Sequence, residues 1–537
     1  MSTSRRAAGC WAVGIATTLL AGCDGDPAER PGGAGGAGGA AGSAGAGGAG
    51  GVDRCRPAGP YPAPGAFEPN RGPGGPRSAF DASALYTNCA YLDGGPKDAD
   101  HHNLLTMYDG FLLMPWAPEF GNVGGLTLWE IDEPCAPTLA GSGFSERMRE
   151  THSIGFSSLG GRWAVVDGMH SLLTPGAGGI QFWDLTDTLA PEPASELTFE
   201  EFMYPDAYAR VTLSTFWQVP YVFVGGADNG IYVVDATDPL NPVLLTRYVP
   251  DPIMRVGQVQ VIGDLLIATV AEGARTLLLD VSDPAHPQPM PNGDFDVVTS
   301  TGDPRDAYFS NFEGGYIYYA NKDSGGGLLV MDIRDPSRPR YAGERLSEGN
   351  GGYVFLHEGF AFEGESSFAA IYDVRDATNI TEVARLDLTG DLDTMTPVGN
   401  VVVLSVDDDA DEGRASAIAP WREAPDATPP RVTWSWPLEG AAGLPLTARV
   451  GVTFSELVDV KSVWEGSIRL YEAGTDPDTT RVPGVASAQE VIVNFSPSCP
   501  LKPNTEYVLE IPAGGVRDAT GNAITEPFTL RFRTAGG

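Results

Sequence analysis

Positive charge is scarce in this chain: 34 lysines and arginines face 70 aspartates and glutamates, for a formal net charge of −36. Such a surface repels phosphate backbones and anionic lipid, which argues against nucleic acid as a partner and against electrostatic docking on a membrane. Histidine and cysteine are sparse, with six of each. No Cys-x-x-Cys pair occurs, so zinc-ribbon and thioredoxin-like chemistry have no foothold. There is no nucleophile elbow, phosphate-binding glycine loop or His-Glu-x-x-His either. The nearest approach, Gly155-Phe156-Ser157-Ser158, has its closing glycine displaced to Gly160 and reads as a strand and turn. Lysine and glutamate at helical spacing are nearly absent, and the strongest apolar run, Trp11 to Leu20, is about half the ~20 residues a spanning helix needs. What is abundant is glycine (69), proline (44) and runs of Val, Ile, Tyr, Phe and Trp. That mixture predicts turns and short strands, an almost wholly β chain.

The amino terminus, MSTSRRAAGCWAVGIATTLLAGC, has a basic patch at Arg5 and Arg6, an apolar run from Trp11 to Leu20, and small residues before Cys23. This is the pattern of an export signal over 1–22. Leu20-Ala21-Gly22-Cys23 resembles the lipobox of bacterial lipoproteins, which implies cleavage before Cys23 and acylation of that residue. Buried acyl chains at ~0.8 kcal/mol per methylene anchor a chain without a spanning helix. The expectation is an exported protein held by lipid in the bacterial cell envelope, at the outer membrane or cell surface. Loss of residues 1–22 removes two arginines and no acid, taking the charge from −36 to −38. Within 23–52, the tract GGAGGAGGAAGSAGAGGAGG cannot build a core and reads as a tether with a reach of ~25 Å. With Cys10 in the signal and Cys23 carrying lipid, Cys55, Cys89, Cys135 and Cys499 remain as disulfide candidates. Three connectivities are open. Cys55 with Cys89 would pin the segment 53–92, and Cys135 with Cys499 would clamp two domains.

One phrase recurs: IYVVDATDPLNP at 231, TLLLDVSDPAHP at 276 and LLVMDIRDPSRP at 328, with looser copies in LTLWE, IQFWD and AAIYD. The acids closing the strand, Glu130, Asp184, Asp235, Asp280, Asp332 and Asp373, are spaced by 41 to 54 residues, the range of β-propeller blades. A second acid follows three residues on, usually with proline behind it, so each phrase is a strand running into a tight corner. Two further strands precede each copy, and a seventh pair at 393–409 is followed by a degenerate third strand, RASAIAPW. Four-stranded units this thin must stack radially and close a ring. The segment SAFDASALYTNCAYLD, 78–93, is placed to supply the missing outer strand of the last blade. The phrases resemble the LVIVD repeat of bacterial extracellular and surface propellers, over about 90–425. The copy at 369 departs from it, with Ala377 and Ile380 where prolines would stand.

From 426 the rhythm changes. Residues 429–459, 491–511 and 514–534 resemble the bacterial Ig-like domain of the surface-layer-protein type, which implies spacing or adhesion rather than catalysis. Short alternating strands over about 110 residues agree with a β-sandwich. The fold expected is therefore all-β, a seven-bladed propeller (93–425) followed by an Ig-like sandwich (426–537).

Few residues carry chemistry. Asp100, His101, His102 and His152 stand at the starts of first strands, where they could converge on a channel mouth and hold a metal, as in propeller lactonases; the plainer reading is polar lining of a wet channel. Asp407, Asp409 and Asp411 alternate in a hairpin tip and suit calcium, the one cofactor the chain suggests, although a solvated acidic turn explains them as well. His170 and His357 are assigned to later strands or turns. Trp129 and Trp183 read as packing between blades rather than as a sugar platform. The expectation is a non-catalytic binding or adhesion scaffold for a protein or glycan ligand. The alternatives are a metal-dependent hydrolase or lactonase, and a structural component of an envelope assembly.

Overall fold

The computed structural model describes residues 74–92, 104–117, 123–148, 154–157, 162–166, 178–199, 212–322, 325–407, 409–464 and 466–536. The described residues form one compact unit. The export signal, Cys23 and the tether fall outside the described residues.

Each recurring phrase is the third strand of a four-stranded antiparallel sheet. In chain order the third strands are Gly124–Glu130 (sheet I), Gly179–Asp184 (II), Ile231–Asp235 (III), Arg275–Asp280 (IV), Gly326–Asp332 (V), Ala369–Asp373 (VI) and Ser416–Pro420 (VII). The first three strands of a sheet are covered on both faces by its neighbours, so IYVVD is buried along almost its whole length. The fourth strand faces water, and VLLTRY in sheet III is exposed to half-exposed throughout. Sheets I to VI share a register shift between the third and fourth strands, two residues before the closing acid, as at Val233/Val234 and Val330/Met331. A bulge at that point adds twist to the outer edge of each sheet.

The corner is held by the acids. Asp235, Asp280, Asp332 and Asp373 each accept from the backbone N–H two residues on, at 2.8–3.1 Å. The second acids, Asp238, Asp283, Asp335 and Asp376, repeat the bond two residues further, at 3.0–3.1 Å. This is the aspartate turn expected from the sequence, made twice in a row. The residue after the first acid then bonds back to the turn between strands one and two, as Ala236 N–H does to Pro220 O. Corners and first-to-second turns therefore lie on one face of the body.

The sheets pack in a closed cycle. Tyr108 of sheet I stacks on Phe156 of II at 5.4 Å, and Phe182 of II meets Trp217 of III at 5.2 Å. Trp183 is fully buried, as inter-sheet packing requires. Leu112 and Met114 of sheet I pack with Val401, Val403 and Ile418 of sheet VII. Sheet VII lacks a fourth strand of its own until Ala90–Leu92, from the chain's beginning, pairs with Ser416–Pro420. The outer strand anticipated near SAFDASALYTNCAYLD is this one, and with it the sheets form a β-propeller.

Cys89, at the start of the closing strand, is bonded to Cys135 in the corner of sheet I. This replaces both pairings used above as examples: the partner of Cys89 is across the closing seam, and Cys135 is spent on it. The bond joins the last sheet to the first. The carboxy-terminal region is a sandwich. One sheet has the order Val432–Trp436, Val450–Phe454, Ile492–Pro497, Gly484–Gln489, and the other Ala441–Leu444, Phe528–Thr534, Glu506–Ile511, Arg469–Glu472. Val452, Phe495, Leu509 and Phe532 fill the space between them.

Replacing Cys89 and Cys135 by serine opens a loop of 46 residues, for which chain entropy predicts a loss of about 4 kcal/mol. Urea unfolding should show that loss without a change in the strand signal of the folded state.

Candidate functional site at the propeller and sandwich seam

The sandwich sits on the propeller face that carries the corners and first-to-second turns, and its hairpin Gly484–Gln489/Ile492–Pro497 enters the ring. Gln489 accepts from Trp217 N–H at 3.0 Å and donates to Thr215 O at 2.8 Å, both in the first strand of sheet III. Glu490, at the tip, accepts from Gln260 of sheet IV (3.2 Å) and Asn311 of sheet V (2.9 Å). Gln489 and Glu490 share a space of about 10 Å³ with Leu104, Ile154, Phe156 and Phe355, which begin or lie in the first strands of sheets I, II and VI. That is the lower limit for one water molecule. The tip thus reaches first strands on six sides and fills the axis at this level. Glu490 has a φ of 54°, a left-handed backbone that a non-glycine residue holds only where its surroundings fix it.

Further polar bonds fasten the seat. Asn494 accepts from Gln218 Nε2 (3.0 Å) and Gly263 N–H (2.7 Å) and donates to Val261 O (2.9 Å). Two buried ion pairs flank it: Arg449 Nε with Asp264 at 3.0 Å, and Lys461 Nζ with Asp109 at 3.1 Å. Burial pushes Asp264 up to about 6, with Arg449 pulling the other way. Buried charges of this kind are tolerated only when paired and hydrogen-bonded, and Thr188 Oγ1 supplies Asp109 with a bond at 2.8 Å.

A third cluster lies where the chain passes from propeller to sandwich. His357 ends the first strand of sheet VI, Val354–His357, and is 2 % exposed. The assignment of His357 to a later strand or turn is corrected here: FLH closes an innermost strand, so its ring points into the seam. Its Nδ1 lies 3.9 Å from Glu456 of the sandwich, and its Nε2 lies 3.8 Å from Glu358. Glu358 is paired with Arg422. Burial pushes His357 down to about 4 and Glu456 up to about 9, the latter helped by Asp518, Asp426 and Glu358.

Between the corners of sheets III and IV and the sandwich runs a cleft of about 730 Å³, within the range of small-molecule sites. Its charged walls are already engaged. Asp235 and Asp283 hold their own corners, and Arg449 holds Asp264 and Val281 O. Cys499, also on this wall, is disulfide-bonded.

Of the residues singled out in the sequence, Cys23, Cys55, Asp100, His101, His102, His152 and His170 lie outside the described residues. Asp407 follows Val401–Val406 and donates its N–H to Asp391 O at 2.8 Å; Asp409 and Asp411 are exposed at the tip beyond it. The described His, Cys, Asp and Glu residues whose ligand atoms meet in a group of three are instead His357, Asp426 and Glu456. The seam residues carried one sequence signal: Gln218, Gln260 and Asn311 are amides in first strands whose other long side chains are mostly apolar, and a buried amide needs a partner.

The fold and its seam define the class, a repeat-built β-propeller with an Ig-like sandwich seated in one face. Residues 220–249 and 311–344 match the LVIVD repeat, and residues 426–534 match the bacterial Ig-like domain. No curated protein matches the chain. Among solved structures, the β-propeller domain of Cps50 (Swd1) from Myceliophteria thermophila is 11% identical, covering 61% of this chain and 98% of its own at a TM-score of 0.44. A putative 6-phosphogluconolactonase from Bacteroides fragilis is 11% identical over 53% of this chain and 84% of its own, at 0.41. A hypothetical selenium-binding protein from Sulfolobus tokodaii is 8% identical over 70% and 88%, at 0.41.

Burial raises Glu490 from 4.5 to about 7. Between those values the folded protein holds a proton that the unfolded chain has released, so stability falls as pH rises through that window and levels off above it. Glu490→Gln should remove this component, on the order of 2–3 kcal/mol. The check is the difference between wild-type and variant urea-unfolding free energies from pH 4.5 to 8. Parallel curves would show that Glu490 does not titrate there.

Proposed function

We propose that this chain is a lipid-anchored protein of the bacterial cell envelope that acts as a non-catalytic binding scaffold, a seven-bladed propeller stoppered on one face by its own Ig-like domain. The observation that carries the reading is the hairpin tip in the axis. It commits one mouth of the ring to internal packing, seats the two domains through buried polar bonds, and leaves the loops between second and third strands as the free end of the wheel. A body fastened in this way presents a fixed surface and has little freedom to close around a substrate. The charge of −36 favours a neutral or cationic protein or glycan partner over an anionic one. The LVIVD repeats support an interaction scaffold, since they specify architecture and name no reaction. The lipobox pattern at 20–23 and the glycine-rich tether support display at a short distance from a membrane.

Two measurements test this reading. Cells fed an alkyne-tagged palmitate should label the chain and hold it in the membrane fraction, and Cys23→Ser should abolish the label and release the protein. A chain that stays labelled and membrane-bound without Cys23 would defeat the anchor. In crosslinked cells, partner peptides should map to the second-to-third-strand loops such as 226–230, 271–274 and 365–368. Crosslinks confined to the Ig-like domain would favour a structural part in an envelope assembly.

A further inference from the structure

We propose that His357, Asp426 and Glu456 form a binding site for a first-row divalent metal ion, with zinc the best-suited probe, that clips the Ig-like domain to the propeller. The three residues come from separate parts of the chain: the end of an innermost propeller strand, the linking segment after sheet VII, and the sandwich just past Val450–Phe454. One ligand atom from each lies within 4.8 Å of the others. The 3.9 Å from His357 Nδ1 to Glu456 Oε2 is too long for a hydrogen bond. It is close to the span of two ligands across an ion held at ~2.1 Å from each.

One polar atom here is otherwise unexplained. Asp426 Oδ2 is buried with no hydrogen-bond partner, and buried polar side-chain atoms are nearly always satisfied. With Nδ1 as the ligand, the buried His357 Nε2 would carry the ring proton toward Glu358, 3.8 Å away. Charge points the same way. Glu358, Asp426 and Glu456 converge on the histidine, and Arg422 is paired with Glu358. A divalent cation would balance Asp426 and Glu456, while the neighbouring Asp518 is held by the N–H groups of Thr520 and Asn522. Imidazole with two carboxylates suits zinc, iron or manganese, whereas calcium and magnesium take oxygen ligands. The outer contacts that orient ligands are also in place. Thr428 N–H bonds Asp426 Oδ1 at 2.9 Å, Ser455 Oγ lies 3.4 Å from Glu456 Oε1, and Trp421 sets its edge against His357 at 5.7 Å between centroids. Asp426 is part-exposed, which gives an ion a way in.

The test uses the full chain purified in detergent, stripped with chelator, dialysed and titrated with Zn²⁺, with Ca²⁺ as a contrast. We expect one zinc per chain, a rise in Tm on binding, and affinity at least ~100-fold weaker in Glu456→Gln and in Asp426→Asn. A triple variant with His101, His102 and His152 replaced by alanine should keep the zinc. Absence of stoichiometric zinc, uptake of Ca²⁺ alone, equal affinity in both carboxylate variants, or loss of zinc in the triple histidine variant would each overturn the site. Asp426→Asn, on a part-exposed link, keeps the test open should Glu456→Gln fail to fold. None of these outcomes bears on the binding-scaffold reading, which rests on the hairpin in the axis.

Discussion

A polar group taken out of water must find a partner or its desolvation cost of about 1–3 kcal/mol falls on the fold. Gln218, Gln260 and Asn311 project such groups from strands that line the ring, and the sandwich hairpin answers them through Asn494 and Glu490. This exchange governs the rest of the seam. Val450–Phe454 pairs with the hairpin's second strand, and the chain at either side of it brings Arg449 to Asp264 and Lys461 to Asp109. The sandwich is therefore an integral stopper of the propeller, not a bead on a string.

The ring itself depends on a different economy. Sheets I to VI are each drawn from consecutive chain, and sheet VII is completed by Ala90–Leu92. The latch does not rest on three residues alone. Phe80 N–H bonds Glu423 O, Asn400 Nδ2 bonds Ser78 O, and the disulfide ties Cys89 to the first sheet's corner. The fourth strands form the outer edges of the propeller sheets, and among the described residues they carry most of the propeller's exposed large apolar side chains, Leu139, Val243 and Leu244 among them.

Much of this architecture was legible in the sequence because its determinants are local. An aspartate that bonds the backbone two residues on, repeated three positions later, writes the same corner wherever it occurs, and the period between copies follows. The closing strand could be anticipated because the last unit was one strand short. The seam was not legible. Gln489 and Trp217 are 272 residues apart and Gln260 and Glu490 230, and no local pattern links them. His357 looked incidental for the same reason: its neighbours Asp426 and Glu456 come from a link and a different domain.

The order of the chain gives the closing strand a history. Ala90–Leu92 emerges before every other strand of the wheel, yet its partner, Ser416–Pro420, follows more than three hundred residues later in the sequence. Until sheet VII is made, the backbone N–H and C=O groups of this strand have no ladder to join, and sheet VII, once made, offers an open edge. Two copies folding side by side could exchange the strand, each completing the other's ring. The bond from Cys89 to Cys135 needs only the first sheet's corner, so it can form early and hold the strand beside its own ring until the last sheet arrives. Seen as a matter of timing, that disulfide is a guard against swapping.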